Sequence, residues 1–181
     1  LLILTLGPGI AMAILPILCY PDPILAQTCR PVEAVDRALV ELAESMAETM
    51  YAAPGVGLAA PQIGRSLNLV VIDTAPSEER GTPLFLFNPQ IMAMSGQTVY
   101  NEGCLSIPGY TADVDRAEKV VVSALDREGR PITIEAEGLT AICLQHEIDH
   151  LAGRLFLDRI SSLKRALYRK RRLKELKKKN D

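Results

Sequence analysis

Both histidines of the chain, His146 and His150, stand four residues apart in Gln145-His146-Glu147-Ile148-Asp149-His150. On an α-helix, residues i and i+4 sit one turn apart on the same face. Two imidazole nitrogens can then meet one metal ion, with Glu147 placed to reach a metal-bound water without ligating. The same face continues through Leu139, Ile142 and Cys143, so the pair sits on an otherwise apolar stripe. A metal sunk beside an apolar wall is the arrangement of a substrate pocket. A lone HExxH motif also arises by chance, and two helical histidines can simply be surface residues.

A two-histidine site needs a third protein ligand, with the fourth position left for water. Acids and cysteines elsewhere in the chain are the candidates. Cys104 stands in Glu102-Gly103-Cys104-Leu105-Ser106-Ile107-Pro108, where a thiolate and a backbone N–H can reach one point. The ordinary fate of a free cysteine, a small buried core residue, stays open for it. Cys19 and Cys29 are read in that ordinary way, and Cys143 as a wall of the pocket rather than a ligand. In Gly55-Val56-Gly57-Leu58-Ala59-Ala60-Pro61-Gln62 the small residues permit close backbone approach to a ligand. Gln62 offers an uncharged amide donor of the kind that stabilises an oxyanion. The segment lacks the Lys and Ser/Thr of a phosphate loop, which argues against nucleotide binding.

These segments need elements to hold them. Residues 14–30 read as extended, with turn chemistry at Pro21-Asp22-Pro23. Pro31 opens an amphipathic helix over 32–52, its apolar stripe Val35, Leu39, Leu42, Met46 and Met50 set against an acidic face. Pro54-Gly55 ends it. Strands are expected at Leu67–Asp73, at Leu84–Phe87 before Asn88-Pro89, and over 91–100. Lys119–Leu125 and Ile132–Glu135 flank Asp126-Arg127-Glu128-Gly129 as a hairpin. A helix over 139–151 carries HExxH and stops at Gly153, and a last helix spans 161–178. The expected fold is α+β, with mixed or antiparallel β-sheets packed around a central helix carrying HExxH, plus a C-terminal helix.

The 181 residues are 48% hydrophobic and 23% charged, a globular composition that excludes a collagen, a rod or a disordered tail protein. One domain is expected, large enough to bury a core without disulfides. Four scattered cysteines without CxxC fit a reducing, cytoplasmic setting. The apolar residues 1–18 lack a basic flank and are interrupted by Gly7, Pro8, Gly9 and Pro16, which argues against a signal peptide or membrane span. Residues 1–13 are expected to be a non-native or disordered N-terminal extension, with 1–11 in particular translated upstream sequence or the product of a mis-called start. Residues 14–163 are expected to form one catalytic metallohydrolase domain. The net charge of −2 hides a split: residues 164–181 carry ten basic and two acidic residues, leaving ten basic and twenty acidic in 1–163. An acidic body with a basic tail suggests two jobs.

Gly55–Gln62, Glu102–Ser106 and Gln145–Gly153, together and in this order, resemble the GxGLAAPQ, EGCLS and QHExDHLxG motifs of the peptide deformylase family. The resemblance covers residues 14–165 and includes Arg116-Ala117-Glu118-Lys119-Val120. It implies hydrolysis of the formyl group from the N-terminal formyl-methionine of nascent polypeptides, releasing formate. It implies that Cys104, His146 and His150 hold one divalent metal, Fe²⁺ in the cell, with Zn²⁺, Ni²⁺ or Co²⁺ able to substitute. Metal-bound hydroxide then attacks the formyl carbon, with Glu147 as general base and acid. Gln62 and the Leu105 N–H polarise the formyl oxygen. Val56, Tyr100, Glu102, Leu139, Ile142 and Cys143 shape the methionine pocket, while Gly57 and Gly103 bind the peptide backbone as an added strand. Thr111 replaces an arginine that some members carry, which touches contacts to the outer peptide residues.

The same resemblance implies that the basic tail, 164–181, contacts the ribosome, since clustered Lys and Arg release counterions on binding phosphate. With Tyr168 as its one aromatic, the tail is not expected to read nucleic-acid sequence. The protein is expected to be a monomer without membrane contact. Two other readings remain for the motif set. An HExxH zinc endopeptidase needs a further downstream ligand, and no later histidine exists. A ribosome- or RNA-binding protein with a structural metal needs a fourth Cys or His at suitable spacing.

Overall fold

The computed structural model describes residues 14–76, 78–79 and 81–180, so the expectation for residues 1–13 lies outside the described residues. Strand β2 (Leu69–Ile72) explains the layering, because its four residues are buried on both faces. Successive side chains of a strand point to opposite sides. Leu69 and Val71 meet α1 (Arg37–Ala52) through Ala43, Met46, Ala47 and Met50. Val70 and Ile72 meet α2 (Gly138–Leu151) through Ala141, Cys143 and Leu144. The continuous apolar run at 69–72 is therefore the mark of a strand with a helix on either side.

That strand belongs to a five-stranded sheet with β1 (Gly57–Ala59), β3 (Leu84–Ser95), β6 (Lys119–Leu125) and β7 (Pro131–Glu137), in the order β1-β2-β3-β6-β7. A separate two-stranded sheet joins β4 (Thr98–Cys104) to β5 (Ile107–Arg116). Every pair of these named strands is antiparallel. The last helix, α3 (Ser162–Asn180), follows a 3-10 turn at Phe156–Arg159. The fold is α+β, with the HExxH helix buried along most of its length from Ala141 to Leu151.

α1, β3, β4 and β5 differ from expectation. α1 begins at Arg37 and not beside Pro31, because Asp36 caps it by accepting a hydrogen bond from the Leu39 amide at 2.9 Å. Residues 30–32 are held by other partners: the Asn88 side chain bonds both the N–H and the C=O of Val32, at 2.7 and 2.8 Å. The strands expected on either side of Asn88-Pro89 are one strand, β3. A break in register between Phe87 and Gln90, with Asn88 at φ 52°, absorbs the proline. The strand expected over 91–100 is cut at Gly96, φ 70°, where the chain turns into β4. β5 was not among the expected strands, although Ala112, Val114 and Arg116 alternate inward along it.

Two contacts tie distant segments to the site. The extended residues 14–22 lie across the body, with the Leu18 amide bonded to the Gln62 carbonyl at 2.7 Å and the Tyr20 amide to the Ser106 carbonyl at 2.9 Å. Gly153, at φ 68°, stops α2 as expected and lies against the backbone of Ala26 and Gln27. Among the described residues, no helix is long and apolar enough to cross a membrane.

Candidate active site

His146 and His150 project from one face of α2, as their spacing requires. β4 ends at Cys104, and the tight turn into β5 brings its sulfur to the same place. Cys104 Sγ lies 3.3 Å from His150 Nε2, and one ligand atom from each of Cys104, His146 and His150 lies within 4.8 Å of the others. Donors bound tetrahedrally at about 2.0–2.3 Å sit roughly 3.3–3.8 Å apart, so the cluster is close to the geometry of one shared cation.

The surrounding groups fit that ion. His146 Nδ1 is 2.7 Å from Glu102 Oε2, which leaves Nε2 as the nitrogen available to the cluster. Burial lowers the proton affinity of His146, but the Cys104 sulfur and Glu102 outweigh it and hold the imidazole well above the usual histidine range. A cation held between sulfur and ring would take the place of that proton. His150 is held well below the ordinary range by burial and by the charge of His146, so its lone pair is free to ligate. Among the described residues, His150 Nδ1 and Glu147 Oε2 are buried without a hydrogen-bond partner. Cys143 is different: burial, then the charges of Glu147 and Glu102, push its thiol well above the ordinary value. It stays protonated and lies 3.6 Å from the Val56 carbonyl, a wall and not a thiolate donor.

Glu147 is buried beside the histidines, and burial raises its pKa to about 7. Gln62 is fixed in orientation. Its Oε1 accepts from the Ala59 amide at 2.7 Å, which turns Nε2 toward Ser106 Oγ at 3.2 Å and Cys104 Sγ at 3.6 Å. A cleft of about 870 Å³ opens over these groups. Its wall includes Val56, Gly57, Gln62, Leu139, Ile142 and Cys143 on one side. Tyr100, Glu102, Gly103, Cys104 and Leu105 line it from the β4 side, with His146 and Glu147 at its floor. All the residues expected at the site thus line this one cleft, except His150, which lies beneath the surface with 1% exposure. A Cβ on Gly57 would collide with the Glu147 carboxylate and lie 2.8 Å from Cys143 Sγ, so a larger residue there would displace both side chains.

Sequence reasoning missed the ion network behind His146. Arg116 has a fully buried side chain and grips Glu102 with two bonds, at 2.6 and 3.0 Å, and Asp149 with a third at 2.6 Å. Asp149 also accepts from Arg159 at 2.5 and 2.7 Å. Burial acts to raise the Glu102 pKa, but the bonds from Arg116 and His146 prevail and hold it below the ordinary range. The available signal was an arginine at the inward register of Ala112 and Val114, facing an aspartate on the histidine helix. Phe156, stacked on the His146 ring with centroids 6.2 Å apart, had no such signal.

Residues 14–166 match the family model described as polypeptide deformylase. The peptide deformylase of Syntrophobacter fumaroxidans is 50% identical over 166 residues, which cover 92% of this chain and 98% of that protein. The crystal structure of a peptide deformylase from Legionella pneumophila superposes with a TM-score of 0.84 at 49% identity, covering 91% of this chain and 98% of its own. That of the Ehrlichia chaffeensis enzyme in complex with actinonin gives 0.84 at 38% identity, covering 93% and 98%. The family is metal-dependent, and Cys104, His146 and His150 form a possible site for the ion. The chain belongs to the peptide deformylase family, hydrolases that remove the formyl group from the N-terminal formylmethionine of nascent polypeptides.

Proposed function

We propose that Glu147, Gln62 and Leu105 carry out deformylation around one divalent cation held by Cys104, His146 and His150. The convergence of that sulfur and those two rings beside a buried carboxyl is the observation that supports the reading. The bound cation supplies Lewis acidity, lowering the pKa of water and drawing charge from the formyl oxygen. A thiolate with two imidazoles suits Fe²⁺ in the cell, with Zn²⁺, Ni²⁺ or Co²⁺ as substitutes.

Glu147, with a pKa near neutrality, takes a proton from the attacking water and returns it to the departing amine nitrogen. Without that return, an amine would have to leave as an anion. Gln62 Nε2 and the Leu105 N–H donate to the oxygen as charge grows there, each worth about 3 kcal/mol. The amide of Gln62 needs no reorientation, because Ala59 already holds its other end. Val56, Tyr100, Glu102, Leu139, Ile142 and Cys143 form the methionine pocket, and Gly57 and Gly103 offer backbone to the peptide. Residues 14–163 carry the chemistry in a cytoplasmic monomer, and the basic tail 164–181 contacts the ribosome through phosphate.

Formate release from formyl-Met-Ala tests the reading. Glu147→Ala is expected to lose at least about a hundredfold in kcat while retaining its metal. Cys104→Ser is expected to lose metal and activity together. Cleavage of internal peptide bonds without formate release would instead support an HExxH endopeptidase.

A further inference from the structure

The outer rim of the cleft is a stretch of β5 that falls out of register with β4. Glu102 pairs with Ala112 and Cys104 with Ile107. Between those two pairs, β4 contributes Gly103 alone and β5 contributes Pro108, Gly109, Tyr110 and Thr111. These four residues therefore bulge out of the ladder, with Gly109 at φ 67°, and all four line the cleft. A bulge of this size lacks the regular strand partners that fix position.

The C-terminal helix reaches this segment. Arg171 Nη2 donates to the Gly109 carbonyl at 2.9 Å. Its guanidinium lies 5.7 Å from the Tyr110 ring and 5.3 Å from the Tyr168 ring, and the two rings are 5.0 Å apart. Tyr168 is 3% exposed and belongs to the cluster formed by Leu25, Ile107, Val114 and Phe156. Glu175, one turn further on, faces Arg171 at 3.6 Å, and Arg172 bonds the Tyr20 carbonyl at 3.0 Å. The body-facing side of α3 is thus a built contact, although the helix is basic nearly all round.

We propose that Arg171, seated on Tyr168, is a positioning residue that holds the 108–111 rim and so sets affinity for the part of the peptide beyond formylmethionine. The inference rests on the reading of the cleft as the peptide site. On that reading the formyl group and the first side chain lie against α2, the Gly55–Gln62 segment and Tyr100, Glu102 and Leu105, whereas the contacts of Arg171 are to Gly109, Tyr110, Tyr168 and Glu175. Later residues must pass the rim to leave the cleft. A helix that reads as a detached basic arm therefore also shapes substrate selection.

Steady-state kinetics of the metal-loaded full chain on formyl-Met-Ala and formyl-Met-Ala-Ala-Ala separate these effects. Arg171→Met is expected to raise KM for the longer peptide about three- to tenfold, the size expected when one charge-assisted bond is removed. KM for the dipeptide and kcat for both should change less than about twofold. Arg171→Lys, which keeps the charge over the two rings, should recover part of that affinity. Arg37→Met, which removes an equal charge from the exposed start of α1, should change neither KM. Amide exchange at residues 109–111 should quicken about tenfold in Arg171→Met, without quickening in α2. Unchanged exchange at the rim, or equal KM rises for both peptides, overturns the proposal. Absence of formate release by the wild type would overturn the deformylase reading instead, and rim exchange would still decide this one.

Discussion

Glu102 and Glu147 lie on either side of His146, and their surroundings drive their acidities apart. Glu102 has Arg116 and His146 as partners and stays ionised. Glu147 has burial without a compensating bond on Oε2, and sits near 7. In the proposed mechanism, two carboxyls separated in this way divide the work, Glu102 orienting His146 and Glu147 moving protons. Glu102→Gln should keep the fold but weaken zinc binding about 10–100-fold, measured by competition with a chromophoric chelator. Glu147 also gives a stability signature in the metal-free protein. Its folded pKa, about 7, exceeds the ordinary 4.5. Between those values the folded state holds a proton that the unfolded chain has released. Stability therefore falls as pH rises through that window, by roughly 3 kcal/mol in all. Urea unfolding of wild type and Glu147→Gln from pH 4 to 8 should show a difference that changes by about this amount. A constant difference would contradict the assignment.

At the scale of elements, regular helices were legible and the irregular strands were not. The apolar stripe of α1 follows the 3.6-residue period, and its members Met46 and Met50 are fully buried. Its start is not legible because Pro31 also marks a first turn, whereas the Asn88 contact to Val32 and the Asp36 cap place it at Arg37. Asp36→Ala should lower stability by about 1 kcal/mol in chemical denaturation, whereas Asp36→Asn should be nearly neutral. β3 was divided in two because a proline argues against a strand interior. The register break at 87–90 lets the strand continue. β5 is not legible in the sequence because Pro108, Gly109 and the alternating charges Asp113 and Asp115 resemble loop composition. Its pairing with β4 supplies the order that its own residues do not.

For the molecule as a whole, the charge split is arranged in space. Arg165 is drawn to Asp158 of the body, while Lys170, Lys174, Lys177 and Lys178 remain outward on α3. Replacing those four lysines by glutamine should weaken cosedimentation with ribosomes. The log–log salt dependence should flatten by about one unit for each phosphate no longer neutralised. Unaltered binding at low salt would remove the tail from that role. Substitution is a cleaner test than deletion of 164–181, which would also uncover the pocket filled by Tyr168. Local order in the chain was enough to bring His146, Glu147 and His150 onto one face, because helical geometry repeats whatever surrounds it. The hairpin at 126–129 and the stop at Gly153 were legible for the same reason. Whether Cys104 reaches those rings, how Gln62 is turned, and which groups stand behind His146 were decided only by the tertiary structure. Those contacts join segments far apart in the chain, and their distances depend on how the sheet, the hairpin and α2 pack together. No periodicity within any one of those segments encodes that packing.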